Sequence, residues 1–452
     1  MTHPRGSRWA IRRFSPAVAA LAAVALAACS APGSSGTQTT TSAAAGSVST
    51  SIGPAPVTLK LYDGQGLKTI DDALIAAFSK KFPNVTITPT YDPDNVTTQN
   101  QPRLLASATP PDLARVISVT AGVKDGLLTN LDAYATAYGW DKLPESQLSQ
   151  YRAANNVAGS GSLYGKPTGF TMTGLYYNKK LATQIGMTTP PATVAELTAL
   201  FEKAKAAGLT GLVVGNKEGA ATMPIGIMMA SSLGVKKTSE WVFNAANATI
   251  DAPESVAVAK QIQDWNAAGY FPDGVNGLDA SAATGLFTSG KGVFYTWGSW
   301  EAANLDKAMA GNVGFMPMPP VTAGGQVAAM SDAATAFGIP AKSTNKDAAA
   351  AFLNFLSSDE ARQIAIDNGF MPTGTSDQKA PTVKDGSVLA DVQKAFATVS
   401  DAGGLVPFVQ NATAGISNQA WNPESQLLLG GQDTPQQFIT NIQAKYTEEL
   451  QQ

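Results

Sequence analysis

Val57-Thr58-Leu59-Lys60-Leu61-Tyr62 alternates apolar and polar residues as a half-buried strand does, and Asp63-Gly64-Gln65-Gly66 ends it with turn-forming residues. Leu74, Ile75, Phe78 and Phe82 then recur at helical spacing until Pro83, which stops the helix. Val85-Thr86-Ile87 resumes the strand alternation. This β-loop-α-β opening is the unit of an α/β fold with a mainly parallel sheet.

Outward from it, helices announce their starts. Thr193 with Glu196 spells a capping box before Leu197, Leu200 and Phe201, and Thr434, Pro435 and Gln437 do the same before Phe438, Ile439, Ile442 and Tyr446. Ala348, Ala351, Phe352 and Phe355 mark a further amphipathic helix. No internal repeat appears. Strands and helices alternate throughout, which favours one large two-lobed α/β unit over separate beads.

Composition narrows the function. Only 14% of the 452 residues are charged while 44% are hydrophobic, so disorder over most of the length is excluded. The single cysteine, Cys29, and single histidine, His3, rule out an intrachain disulfide framework and a Cys/His zinc cage. Net charge is −3, with 31 basic and 34 acidic residues. Nucleic acid and anionic membrane surfaces are poor electrostatic matches. No cofactor is expected.

The first 28 residues carry Arg5, Arg8, Arg12 and Arg13 and no acid, followed by an apolar run from Ala17 to Ala28. At about 12 residues this run is too short to span a bilayer and reads as a signal peptide over 1–28. Leu26-Ala27-Ala28-Cys29 resembles the bacterial lipobox, which makes Cys29 the expected lipidation site. Arg12-Arg13-Phe14 is only a fragment of a twin-arginine signal. Residues 29–55, rich in Ser, Thr, Gly and Ala, are expected to form a flexible tether. Cleavage before Cys29 would leave no histidine, removing Ser-His-Asp, Cys-His and His-metal chemistry together.

Several short stretches share one order and spacing: Phe82-Pro83-Asn84-Val85, Pro110-Pro111-Asp112-Leu113, Tyr164-Gly165-Lys166-Pro167, Tyr176-Tyr177-Asn178-Lys179-Lys180-Leu181 and Trp297-Gly298-Ser299-Trp300. From about residue 57 to 450 the chain thereby resembles the extracellular solute-binding proteins of ABC importers, in the sugar-binding cluster similar to maltose-binding protein. The resemblance implies a type II periplasmic-binding-protein-like fold, with two lobes of mainly parallel sheet flanked by helices and a hinge crossed more than once. Lobe I is expected at 56–169 plus 328–372, and lobe II at 170–327 plus 373–452. It also implies a carbohydrate ligand, ABC permease subunits as partners, a monomer, and a lipid anchor on the extracytoplasmic face of the cell membrane.

A sugar site needs aromatic plates and hydroxyl-seeking side chains at fixed positions. Trp297 and Trp300 follow an apparent strand, Gly292 to Thr296, whose carboxyl end is where open α/β sheets place ligands. The competing reading is that one or both fill the core. Trp300 matches a sugar-stacking tryptophan of the family in a Gly-x-Trp motif. By the same resemblance, Asp63 and Gln65 occupy a loop that supplies polar contacts, against an ordinary turn aspartate. Ser118 and Thr120 stand in the corresponding loop after the Arg115-Val116-Ile117 strand, where relatives often carry an aromatic or acidic residue. Thr171 aligns with a frequent glutamate, and Glu218 with an acidic ligand residue whose rival is a solvated loop carboxylate. Asp332 lies where the chain recrosses between lobes, facing the cleft or capping a turn. Trp421, near Asn418 and Gln419, falls where the family has its late aromatic contact. Trp140, Trp241 and Trp265 are better read as packing residues.

Gly285 to Lys291 fits a phosphate-loop spacing, but Gly292 replaces the required Ser or Thr. The functional rival is an exported glycoside hydrolase pairing two of Asp63, Glu218 and Asp332 at ~5 to 9.5 Å. A receptor for peptides, polyamines or metals is a third reading; few ligating residues support metals.

Overall fold

The computed structural model describes residues 48–451 apart from 156, 376 and 414. The expected signal segment 1–28, Cys29 and the expected tether as far as residue 47 lie outside the described residues.

The opening unit forms as its sequence dictates. Strand β1 (Val57–Gly64) pairs in parallel with β2 (Val85–Asp92), in unbroken register from Val57 against Val85 to Gly64 against Asp92. The helix Lys68–Lys81 between them buries Ile70, Leu74, Ala77 and Phe78. Phe78 meets Phe82 at 4.7 Å between ring centroids, and Phe352 edge-on at 5.2 Å from the helix Lys346–Phe355. The helix stops because Pro83 forces Phe82 out of helical backbone, at φ −127° and ψ 74°.

Residues 48–55, assigned by composition to the tether, lie along this unit. Val48 and Ile52 pack against its core, and the Asn84 side-chain amide donates to the Gly53 carbonyl at 2.8 Å. The Ser49 N–H also donates to the Asp347 carboxylate at 3.2 Å, so apolar and polar contacts together hold the segment there.

Strand β3 (Leu113–Arg115) joins β1 in parallel. A small antiparallel sheet of β4 (Arg152–Ala154), β5 (Val157–Ala158) and β6 (Ser162–Leu163) follows. After it come β7 (Lys166–Phe170), β8 (Thr173–Asn178), β9 (Thr210–Val213), β10 (Gly292–Gly298) and β11 (Val313–Met316). The series ends with β12 (Ala329–Met330), β13 (Ala333–Gly338), β14 (Met371–Pro372) and β15 (Leu405–Val406). Six strands make one sheet in the order β14-β7-β13-β3-β1-β2, and four make another in the order β11-β8-β10-β9. Helices flank these sheets, giving the expected α/β class.

Most strands in each sheet run one way, β1, β2, β3 and β7 in the first and β9, β10 and β11 in the second, with β13, β14 and β8 set against them. β13 runs antiparallel to β3 and β7, β14 antiparallel to β7, and β8 antiparallel to β10 and β11. The cause lies in the connections. Parallel neighbours need helical crossovers, whereas β7 leads into β8, and β12 into β13, through only a pair of intervening residues. β8 and β13 enter their sheets straight from such connectors, while β14 follows the helix Asp359–Asp367.

The connectors are laced side by side. Ser331 Oγ donates to the Thr171 carbonyl at 2.6 Å, Thr173 Oγ1 to the Met330 carbonyl at 3.2 Å, and the Ser331 N–H to the Val406 carbonyl at 2.7 Å. β12 and β15 add a two-residue parallel pairing beside them.

Beyond β15, the helix Pro435–Leu450 starts at Thr434 with both halves of the capping box made. At Thr193 only half is present: its side chain accepts from the Glu196 N–H, but the Glu196 carboxylate takes the Ala192 N–H instead. Gly285 to Thr288 is the end of a helix, Ala280–Thr288, not a loop cradling an anion.

Candidate functional site

β9 and β10 run parallel, and at their carboxyl ends opens a cavity of ≈ 390 Å³. Its wall includes Glu218, Met223, Asp279, Trp297, Gln410 and Asn422. The volume falls within the ~300–1,000 Å³ typical of small-molecule sites.

Trp297 is the penultimate residue of β10, and its ring is partly buried. It stacks on Tyr295 two residues earlier, on the same face of the strand, at 5.8 Å and 11° between ring planes. Trp300 meets it edge-on at 5.9 Å and 69°, and Phe408 lies 6.4 Å from Trp300. Gly298 makes this possible, because a Cβ there would fall 2.0 Å from the Trp300 ring. The glycine of Gly-x-Trp is thus a space requirement: the second indole folds back over the strand end. Neither tryptophan is sealed in the core.

Glu218 is exposed on the cavity wall, in the turn after β9. Fully buried Asn216 fixes that turn, its Oδ1 accepting the Ala221 N–H and the Ser425 hydroxyl while its amide donates to Asn276. Asp279, which motif reading did not select, has two structural tasks. It caps the helix Ala280–Thr288 through the Ala282 N–H at 2.9 Å and pairs with Lys217 at 3.8 Å. Gln410 was also missed. Its amide donates to Thr222 Oγ1, whose own proton goes to the Gly219 carbonyl at 2.7 Å. Gln410, Asn422 and Phe408 sit in segments without a motif, and only their fold neighbours reveal them.

The other predicted residues are placed elsewhere. Asp63 is fully buried at the end of β1; its Oδ1 accepts the Gly64 N–H at 2.6 Å and faces Arg115 at 3.7 Å. Gln65 is exposed in the turn that follows. Ser118 caps the short helix Val119–Lys124 and contacts the Thr120 hydroxyl at 3.3 Å. Thr171 and Asp332 meet in the connector, where the Asp332 carbonyl accepts the Thr171 N–H at 2.9 Å and its hydroxyl at 3.3 Å.

Trp421 is fully buried, edge-on to Trp241 at 6.0 Å and to Phe438 at 5.9 Å. It belongs to the core beneath the C-terminal helices and does not line the cavity. Trp140, Trp241 and Trp265 are likewise buried. Of the three carboxylates a hydrolase might pair, Glu218 lines the cavity, while Asp63 and Asp332 are bonded into the frame.

One carboxyl near Asp63 bears on stability. Asp71 is 1% exposed, and burial, with the negative charge of Asp63 second, holds it well above the usual carboxylate range. A raised folded value means that the folded state holds the proton more tightly than the unfolded chain, so stability falls as pH rises from ~4 through that value. Asp71→Asn should therefore raise the melting temperature at pH 8 relative to the parent and flatten its pH profile. Thermal unfolding between pH 4 and 9 checks this; a variant less stable than the parent at every pH contradicts it.

Among the described residues there is no cluster of metal-ligating side chains, and no helix is long and apolar enough to cross a membrane. No curated protein sequence matches the chain significantly. Solved structures do match. A chitin oligosaccharide binding protein is 21% identical, covering 88% of this chain and 100% of that one at a TM-score of 0.70. RafE from Streptococcus pneumoniae, in its apo form, is 19% identical over 88% of this chain and 99% of that one, at 0.70. The GacH receptor of Streptomyces glaucescens, solved unliganded and in complex with acarbose, is 22% identical over 88% and 99%, at 0.68. At these identities the likeness establishes a common fold. The family model for bacterial extracellular solute-binding proteins matches residues 64–363, and the chain belongs to that family.

Proposed function

We propose that the chain is the lipid-anchored receptor of an ABC importer, a monomer held through Cys29 at the extracytoplasmic face, which binds a sugar or oligosaccharide and delivers it unaltered to the permease. Lobe I comprises 56–169 plus 328–372, and lobe II comprises 170–327 plus 373–452. Closure about the laced connectors brings the lobes together on the ligand. No bond is broken.

The observation that carries this reading is the indole of Trp297, partly open on the wall of a cavity that the Glu218 side chain also lines. An aromatic face suits the CH-rich side of a pyranose, and a carboxylate accepts hydroxyl protons more strongly than a neutral group does. Trp300 and Phe408 extend the aromatic surface. Relatives of the same fold are named for chitin oligosaccharide, raffinose and acarbose, which supports a saccharide as ligand here.

The test is a thermal-shift and tryptophan-fluorescence screen of maltotriose, raffinose and chitotriose, with chromatography of each sugar after prolonged incubation. Saturable binding at micromolar Kd, with a shift of ~3 kcal/mol at a hundredfold excess over Kd, is the expected result. Cleavage products accumulating with turnover would favour the hydrolase; silence from all three would defeat the carbohydrate reading.

A further inference from the structure

The connector and the cavity wall are joined by one side chain. Asp332 lies between β12 and β13, its backbone carbonyl taken by Thr171 and its carboxylate turned the other way. Oδ1 accepts the Phe408 N–H at 3.3 Å, and Oδ2 accepts the side-chain amide of Asn411. The turn so gripped bears Phe408, which lies against Trp300, and Gln410, which lines the cavity. We infer that Asp332 is a positioning residue: its carboxylate pins the Phe408–Asn411 turn to the connector and thereby sets the shape of the cavity wall.

This rests on the cavity being the ligand site, but it gives Asp332 a task other than touching ligand. The backbone of 408–411 has little regular structure of its own, with only a short 3₁₀ turn at Val409–Asn411. One acceptor pair spanning both ends of that turn removes much of its freedom, and a preorganised wall loses less entropy when ligand arrives.

Both bonds are strongest when each oxygen is a charged acceptor, which the ionised form supplies. Burial pushes the Asp332 carboxyl up to about 6, opposed by the Phe408 N–H, the Asn411 amide and the positive charge of Arg115. The groups facing it are Arg115 on β3 and Tyr151, whose hydroxyl donates to the Ala333 carbonyl at 3.3 Å. Between pH 7.5 and 5 the carboxyl takes a proton, one oxygen becomes a donor, and the grip on the Phe408–Asn411 turn loses its charge assistance and weakens. Ligand affinity should therefore weaken as pH falls through this window.

Asp332→Asn reproduces the protonated form without titrating. Its affinity at pH 7.5, measured by tryptophan fluorescence with whichever of maltotriose, raffinose and chitotriose binds the parent, should be about 5- to 10-fold weaker, matching the parent at pH 5 and unchanged by pH. Asn411→Ala, a surface substitution, should cause a similar loss and add nothing to Asp332→Asn. Without ligand, amide exchange across 406–412, read by mass spectrometry, should be faster in Asp332→Asn than in the parent at pH 7.5. Parent-like exchange together with a parent-like pH profile in Asp332→Asn overturns the assignment. If no saccharide binds the parent, the carbohydrate reading fails, and exchange across 406–412 alone decides the role of Asp332.

Discussion

Trp297→Ala should weaken binding of the cognate sugar by about 100-fold, with the fold intact. Fully covering an indole removes ~150–250 Å² from water, a ceiling of about 4–6 kcal/mol at 25 cal/mol per Å². Part of that surface is already spent on Tyr295 and Trp300, which leaves roughly 2–3 kcal/mol for ligand, or about 30- to 150-fold in Kd. Calorimetric titration reads the effect. Trp297→Phe, which keeps an aromatic face, should lose far less. Alanine at 297 with parent affinity would remove the observation on which the proposed function stands.

The second large effect concerns stability. Trp421 is fully enclosed by Trp241 and Phe438, and alanine there should cost about 3–5 kcal/mol, the range for deleting a large aromatic from a packed core. Its indole N–H finds no acceptor among the described residues, so Trp421→Phe forfeits no hydrogen bond and should cost far less. Denaturant unfolding measures both. Trp421→Phe should leave sugar affinity within twofold of the parent; a tenfold loss would instead mark Trp421 as a ligand contact.

These two tryptophans illustrate what a linear reading can reach. Sequence offers both as ligand contacts, Trp297 from the end of an apparent strand and Trp421 from the resemblance alone. A π-helical turn at Ser417–Trp421 leaves Asn418 and Gln419 exposed while swinging Trp421 inward against a helix that begins only at residue 435. Its polar neighbours therefore face solvent, while the aromatic that the resemblance singled out lies in the core. Trp297 was recoverable because it ends a strand, and strand ends in α/β sheets are placed by topology rather than by distant partners.

The same division holds for the fold. Helix boundaries and the first parallel pair were legible, since Pro83, Thr434 and the alternation of Val57 to Tyr62 act over a few residues. The direction of the strands set against the rest was not. β13 takes its place from β3 and β7, and no local signal in Ala333 to Gly338 names either. Asp63, read from sequence as a loop residue, lies inside β1, and Arg115 and Asp71 come from other elements to enclose it. Gln410 and Asp332 derive their importance wholly from such meetings.

The position of β13 between β7 and β3 decides when the first sheet can be completed. When a ribosome has finished Phe170, β1, β2, β3 and β7 all exist, yet the strand that must lie between two of them is still ~170 residues away, on the order of ten seconds or more of synthesis. The first sheet cannot close during that interval. Until β13 emerges, nothing joins β7 to β1, β2 and β3, so completion of the sheet waits on the second half of the chain.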